Sequence, residues 1–303
     1  MKKFIPHLIA IGIFSILTVV YFFPNFQGMV LQQGDIVQWK AMSKEITDWN
    51  AQHPDEPALW TSRLFSGMPS AQISLPFPGN FSSKILGWLG KIFPDASAML
   101  FLHLIGFYVL LLCLGVHQWL AVAGAIAFAF SSFTLISLEA GHNTKVQAMG
   151  LMAPVLGGVW LCYRKNILMG AALTAFALSL LIAANHLQIT YYLIICVGLI
   201  GLFELVSAVL EKKIKEFSLA SLALILAALL AVGPNIANLW MTRDYGKETI
   251  RGGSSELKRK KAQTDGGLDF EYASRWSYGF TDLEFLSVLI PNIKGGASGT
   301  DVG

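Results

Sequence analysis

Charge is scarce in this chain. Only 14% of its 303 residues are Asp, Glu, Lys or Arg, and 54% are hydrophobic; an average soluble domain carries about 25% charged residues. That balance excludes an ordinary water-soluble globule. The net charge of +3 is too small to call for nucleic acid, and no basic block is interleaved with aromatics as such binding requires. Cysteine is scarce too. Cys113, Cys162 and Cys196 each sit inside or at the end of an apolar run, which argues against a disulfide framework or a thiolate metal site and leaves them as small hydrophobes. No Gly-rich loop of P-loop spacing is present, nor Gly-x-Ser-x-Gly, nor His-Glu-x-x-His. Their absence speaks against direct nucleotide hydrolysis, nucleophile-elbow hydrolysis and zinc proteolysis. An internal repeat is missing as well, which weakens a transporter built from inverted halves.

What the chain has in abundance is long apolar runs. A membrane helix needs about 20 mostly apolar residues to cross a core of about 30 Å. Seven stretches qualify, near residues 4–23, 96–116, 119–138, 146–163, 167–184, 187–208 and 217–240. The first follows Lys2 and Lys3 as a signal peptide would, but its run is long and Phe22-Phe23-Pro24-Asn25 offers no small-residue cleavage site. It is expected to remain as a span. The short basic loops set the orientation: Lys2 and Lys3, Arg164 and Lys165, and Lys212, Lys213 and Lys215 all fall inside together. The expected architecture is an all-α integral membrane protein, N-terminus cytoplasmic. Residues 1–241 form the membrane module, with an outer loop over 24–95, and residues 242–303 form an outer-face tail. The polar, Gly-rich stretch 252–267 reads as a mobile loop.

The outer loop has its own pattern. Ile36, Trp39, Met42, Ile46 and Trp49 repeat at helical spacing, as do Phe81, Ile85, Trp88, Leu89 and Ile92. Helices with Trp on one face and Lys on another tend to lie in the membrane interface. The alternative is a small folded outer subdomain with these stripes as its core. Pro57-Ala-Leu-Trp60 and Ser66-Gly-Met-Pro69 mark turns between them.

This topology gathers the residues able to do chemistry on the outer face. Asp35 follows the first span by about a dozen residues and suits the N-cap of a helix, with Gln38 completing a capping box. Glu139 and His142 share one face of a helical turn; with Asp35 they offer two carboxylates and an imidazole to a divalent cation. The competing role for Gly141-His-Asn-Thr144 is a plain polar turn. Lys145, Arg243, Lys247 and Arg251 stand at span mouths, where cations meet lipid phosphates and where they also snorkel with no ligand. His186 and Gln188 occupy a very short turn between the fifth and sixth spans. His103 lies within a span and suits a neutral imidazole bonded to a neighbouring helix, and Glu204 suits snorkelling or a pair with Lys212.

A set of short strings resembles the YfhO family of bacterial membrane proteins. They are Gln32-Gln-Gly-Asp35 with Trp39, Leu59-Trp60 with Gly67-Met-Pro69, Gly141-His-Asn-Thr-Lys145, Asn185-His-Leu-Gln-Ile-Thr-Tyr-Tyr192, Tyr245-Gly-Lys247 with Arg251-Gly, and Trp276-Ser-Tyr278 with Pro291-Asn. That family is similar to the GT-C class of glycosyltransferases. The resemblance implies a sugar moved from a polyprenyl-phosphate carrier to an envelope glycan or lipid acceptor, at the outer face of the bacterial cytoplasmic membrane. It also implies Asp35 as general base toward the acceptor hydroxyl, and a chain that in other members continues with more spans. A lipid transporter or flippase, or a membrane scaffold using the same outer vestibule, is the alternative.

Overall fold

The computed structural model describes residues 4–75, 77–249, 286, 289 and 290. Twelve helices are found among them: α1 (Ile5–Tyr21), α2 (Phe23–Phe26), α3 (Gly34–Gln52), α4 (Phe81–Ile92), α5 (Ala96–Cys113), α6 (Gln118–Ala129), α7 (Ser132–Ala140), α8 (Asn143–Arg164), α9 (Ile167–Ala183), α10 (Leu187–Leu210), α11 (Ile214–Val232) and α12 (Ile236–Gly246). The protein is therefore all-α. Four helical stretches are long and apolar enough to cross a membrane: α5, α8, α10 and the run Ile214–Gly246. A fifth forms if α6 and α7, bent by 44° at their break, count as one. Two further apolar helices, α1 and α9, have 17 residues each.

The expected seven stretches thus appear in altered form. The first ends at Tyr21 because Pro24 starts the short α2. The third breaks at Ser131, whose hydroxyl lies 3.0 Å from Thr134 Oγ1; a serine bonding locally competes with the helix ladder. The last is interrupted by a 3₁₀ turn over Gly233–Asn235, where Pro234 supplies no N–H. The fourth begins three residues early, so Asn143, Thr144 and Lys145 lie in the first turn of α8 rather than before it.

The chain divides into two compact units. The first comprises Met1–Gln38, Phe77–Phe130 and Ser137–Ile236. Its centre is α8, and small residues bring its neighbours close. Pro154 cannot donate to the Gly150 carbonyl, and that carbonyl lies only 2.2 Å from where a side chain on Gly106 of α5 would begin. On the other flank, a Cβ at Gly170 of α9 would meet Cys162 N at 2.2 Å, and one at Gly158 would meet Thr174 N at 2.8 Å. Backbones can approach this closely only where side chains are absent, the usual device of membrane helix pairs. His103 reinforces the α5–α8 seam: fully buried, its Nε2–H donates to Val146 O at 2.8 Å. The bonded imidazole expected at this position is what forms. Two apolar clusters flank the seam, one around Phe14, Leu100, Leu104 and Tyr108, the other around Leu151, Val155, Leu181 and Leu193.

Helix α4 belongs to this unit. Ile85, Leu86 and Leu89 pack on the second cluster, while Phe81, Trp88 and Ile92 stay exposed beside Lys84 and Lys91. A buried polar chain pins it. Asn80 caps the helix through Ser83 N at 3.1 Å and donates to Asn235 Oδ1 at 2.8 Å. Asn235 Nδ2 reaches Ser179 O at 3.0 Å, and Ser82 and Ser179 share a hydroxyl bond of 2.6 Å. By contrast, α10 and the run from Ile214 bury only 17% of their apolar windows, against 56% for α5 and 61% for α8. Leu199, Leu202, Phe203, Leu222, Ile225 and Leu229 face outward. A surface of that kind suits hydrocarbon, not water.

The second unit comprises Trp39–Pro76, Ser131–Ile136 and Ala237–Gly303. In it the Trp stripe of α3 is tied down: Trp39 Nε1 donates to Ile73 O at 3.0 Å and Trp49 Nε1 to Glu56 O at 2.9 Å, with Ile46 buried. A two-residue antiparallel pair, β1 (Trp60–Thr61) with β2 (Met68–Pro69), sets Trp60 opposite Pro69 and Thr61 opposite Met68. Gly67, at φ +120°, lies under the Trp60 ring. Of the α3 stripe in this unit only Ile46 is buried, while Trp39, Met42 and Trp49 stay exposed; α4 packs on the helical bundle of the first unit.

The glycine seam is testable. Gly170→Ala should destabilise the detergent-solubilised protein by about 1–3 kcal/mol, the usual cost of overpacking. Gly198→Ala, at a helix position with open space around it, should be neutral or mildly stabilising. Thermal unfolding of the two variants side by side distinguishes them.

Candidate functional site

Asp35 stands in the first turn of α3, one residue past Gly34. The N-cap place falls to Gln33, not to Asp35 as the capping-box pattern suggests, and the Asp35 carboxylate turns to another partner. Gln33 is buried, and its side-chain amide forms a reciprocal pair with Asn143: Gln33 Nε2 donates to Asn143 Oδ1 at 2.8 Å, and Asn143 Nδ2 to Gln33 Oε1 at 3.1 Å. A second hydrogen on Gln33 Nε2 goes to Leu138 O. The start of α3 is thereby clamped to the turn between α7 and α8. Gly141 makes that turn possible at φ +91°, a conformation that favours glycine. Any side chain on it would also press on Gln33, Asp35 and the Ile36 amide at 3.1–3.2 Å.

The clamp sets His142 against Asp35. His142 Nε2 lies 3.1 Å from Asp35 Oδ2, with both side chains about half exposed (47% and 56%). An ion pair so open to solvent contributes only about 0–1 kcal/mol, so its role is orientation. Thr144 then links this turn to the next helix, its hydroxyl 3.2 Å from His186 Nδ1. His186 occupies the N-cap position of α10, and the connection from α9 is short because Asn185 adopts φ +57°. The His186 pKa is lowered first by burial, then by the positive charge of Lys145 and by His142. Four of the sequence-predicted residues, Asp35, His142, Lys145 and His186, therefore form one constellation within the first unit.

The arrangement has a specific electrostatic character. Three helices begin here: α3 at Gly34, α8 at Asn143 and α10 at Leu187. Helix N-termini carry partial positive charge and free N–H groups, and such termini bind anions. Lys145 adds a full positive charge beside them. An exposed carboxylate held by an imidazole, next to a concentration of positive potential, can take a proton from a hydroxyl while an anionic group is held close by.

The metal expectation fares differently. Among the described residues, no group of three or more His, Cys, Asp or Glu side chains is gathered closely enough to hold one ion. Glu139, at the end of α7, does not join Asp35 and His142 in a three-ligand set. No protein family, curated protein or solved structure matches this chain.

The remaining predicted cations lie elsewhere. Arg243 and Lys247 belong to the second unit, at and just past the end of α12. The Arg243 guanidinium sits 5.8 Å from the Trp240 ring centre, and Lys247 Nζ pairs with Asp244 at 2.7 Å. Arg251 lies outside the described residues, as do the 252–267 stretch and the strings at Trp276 and Pro291. Gln33, Asn143 and Thr144 belong to the strings that carry the resemblance but have no site role assigned in the sequence reading. Their side chains matter through partners 42 to 110 positions away, and no local pattern encodes that.

The electrostatics of His186 can be measured directly. Its resonance in labelled protein should titrate below the ordinary histidine midpoint of about 6.5, and Lys145→Gln should move the midpoint upward. The folded pKa is lowered, so the unfolded chain binds the proton first as pH falls. The stability linked to this group is complete above about pH 6.5 and declines as pH drops toward the folded midpoint.

Proposed function

We propose that this protein is a membrane glycosyltransferase acting at the outer face of the bacterial cytoplasmic membrane. It transfers a sugar from a polyprenyl-phosphate carrier to an envelope glycan or lipid acceptor. In this reading all seven apolar stretches cross the bilayer, with α1 and α9 as short spans, and the N-terminus is cytoplasmic. The observation that carries the proposal is the Asp35–His142 pair lying where α3, α8 and α10 begin. A carboxylate available as base thus stands beside positive potential suited to a lipid phosphate. The resemblance to the YfhO family supports the same chemistry.

The acceptor hydroxyl oxygen attacks the anomeric carbon of the donor sugar, and Asp35 takes the hydroxyl proton. The bond from the anomeric carbon to the phosphate oxygen breaks, and polyprenyl phosphate leaves with the electron pair. His142 orients the Asp35 carboxylate through the 3.1 Å contact. Lys145, with His142 and His186, faces the phosphate. The reaction as written needs no divalent cation. Transport would lean on polar groups inside the spans, and His103, the foremost of them, is bonded to the Val146 carbonyl.

The test uses the native gene in its host. Envelope glycans are compared by mass spectrometry in wild type, in a deletion strain, and in the deletion strain carrying Asp35→Asn at matched protein level. Loss of one sugar modification on deletion, and a reduction of about 10²–10⁴-fold with Asp35→Asn, is the expected result for a missing general base. Full restoration by Asp35→Asn would overturn the assignment of Asp35 and bring transport or scaffolding forward.

A further inference from the structure

The end of α8 opposite the Asp35 site carries a second polar cluster that the proposed reaction does not use. Here a cavity of about 180 Å³ opens among the end of α8, the end of α10 and the start of α11. Arg164 closes one side. Its Nε donates to Glu204 Oε1 at 2.7 Å, while its guanidinium lies 5.5 Å from the centre of the Trp160 ring and 5.7 Å from that of Phe203. The Glu204 side chain is only 8% exposed. Its partner is Arg164 rather than the expected Lys212, because the last turn of α8 runs beside α10 whereas Lys212 lies past the helix end. On the other side, Lys213 Nζ bonds Glu211 Oε2 at 2.6 Å, and Ser207 Oγ donates to Glu211 Oε1 at 3.1 Å. The Lys213 bond, then that from Ser207, holds the Glu211 carboxyl below the usual carboxylate range. Tyr163 stacks on Phe217 at 5.5 Å and forms an aromatic wall.

The charge balance of the lining is decisive. Arg164 and Lys213 contribute two positive charges, whereas Glu204, Glu211 and Glu216 contribute three negative ones. Each cation already has a carboxylate. Glu216, in the first turn of α11, makes no direct salt bridge among the described residues, though its charge reaches Lys213 at longer range and adds to that of Glu211 there. A ligand matching this lining carries a positive group for Glu216 and a negative group that Arg164 and Lys213 can share. Apolar surface continues from the cavity along α10 and α11, through Val206, Val209, Leu210 and Leu219. Those two helices are the ones that bury least of their apolar length.

We infer that this cavity binds the headgroup of a zwitterionic aminophospholipid, a phosphate ester bearing a primary ammonium, with its acyl chains lying along α10 and α11. The ammonium donates to Glu216 and faces the Tyr163–Phe217 wall, where cation–π attraction adds to the carboxylate. The phosphate lies toward Lys213 and Arg164. An anionic headgroup without an amine would meet three carboxylates and bring no ammonium to offset them. The inference requires only that these helices contact lipid, and it stands apart from the glycosyltransferase reading.

The test takes the purified chain, stripped of lipid in detergent, and offers it equal amounts of dioleoyl phosphatidylethanolamine and dioleoyl phosphatidylglycerol. Retained lipid is counted by native mass spectrometry. Phosphatidylethanolamine should be retained about two- to fivefold over phosphatidylglycerol, the scale of one solvent-accessible ion pair. Glu216→Gln should bring the ratio close to one. Lys215→Gln, an exposed change outside the cavity lining, should leave the ratio as in wild type and so reports on any general effect of surface charge. Equal retention, preference for phosphatidylglycerol, or a ratio unmoved by Glu216→Gln would each overturn the inference. Circular dichroism of Glu216→Gln matching wild type ensures that the ratio is read on folded protein.

Discussion

The close backbone approach of α8 to its two neighbours is the constraint on which the first unit depends. Association of helices in lipid gains little from the hydrophobic effect, so packing and hydrogen bonds must hold them together. Gly106 facing Gly150, and Gly170 facing Cys162, allow main chains to meet where side chains would otherwise keep them apart. Pro154 contributes to the same seam, because it frees the Gly150 carbonyl from its helical donor and that carbonyl then lies against α5. His103, bonded to Val146 O, adds a strong polar link within this apolar contact.

With α8 fixed, both polar clusters are fixed as well, since its two ends carry them. Twenty-two residues at about 1.5 Å each span about 33 Å, close to the thickness of a hydrocarbon core of about 30 Å. His142 and Lys145 therefore stand at one end of that length and Arg164 at the other. At the first, helix starts concentrate positive potential around an exposed carboxylate. At the second, the last turns of α8 and α10 end in negative potential, and the carboxylates outnumber the cations. Opposite chemistries at the two ends follow from helix direction as much as from composition.

Several of the polar side chains that the bundle buries are paired into links between elements. Gln33 with Asn143, Asn80 with Asn235, and Ser82 with Ser179 each join segments far apart in the chain. A buried polar group without a partner costs about 1–3 kcal/mol, so each such pair penalises any other arrangement of the segments it joins. These amide and hydroxyl links give specificity to helices whose apolar faces would otherwise slide on one another.

The sequence by itself determined that the chain is an all-α membrane protein. Hydrocarbon demands continuous apolar helices, and that demand is written residue by residue. Pro24 and Gly233-Pro234 interrupt helices through their own backbone chemistry, whereas the break at Ser131 carries no such mark; among other polar residues, the sequence also pointed to Asp35, His142, Lys145 and His186 by their place at helix ends. Only the tertiary structure decided who meets whom. Asp35 sits against His142, Glu204 pairs with Arg164 and not Lys212, and Glu139 does not join the other two candidate ligands. The physical reason is range. Helix formation and its interruption depend on neighbours within about four residues, whereas these contacts join positions 40 to 110 apart and exist only once the glycine seam has set the helices side by side.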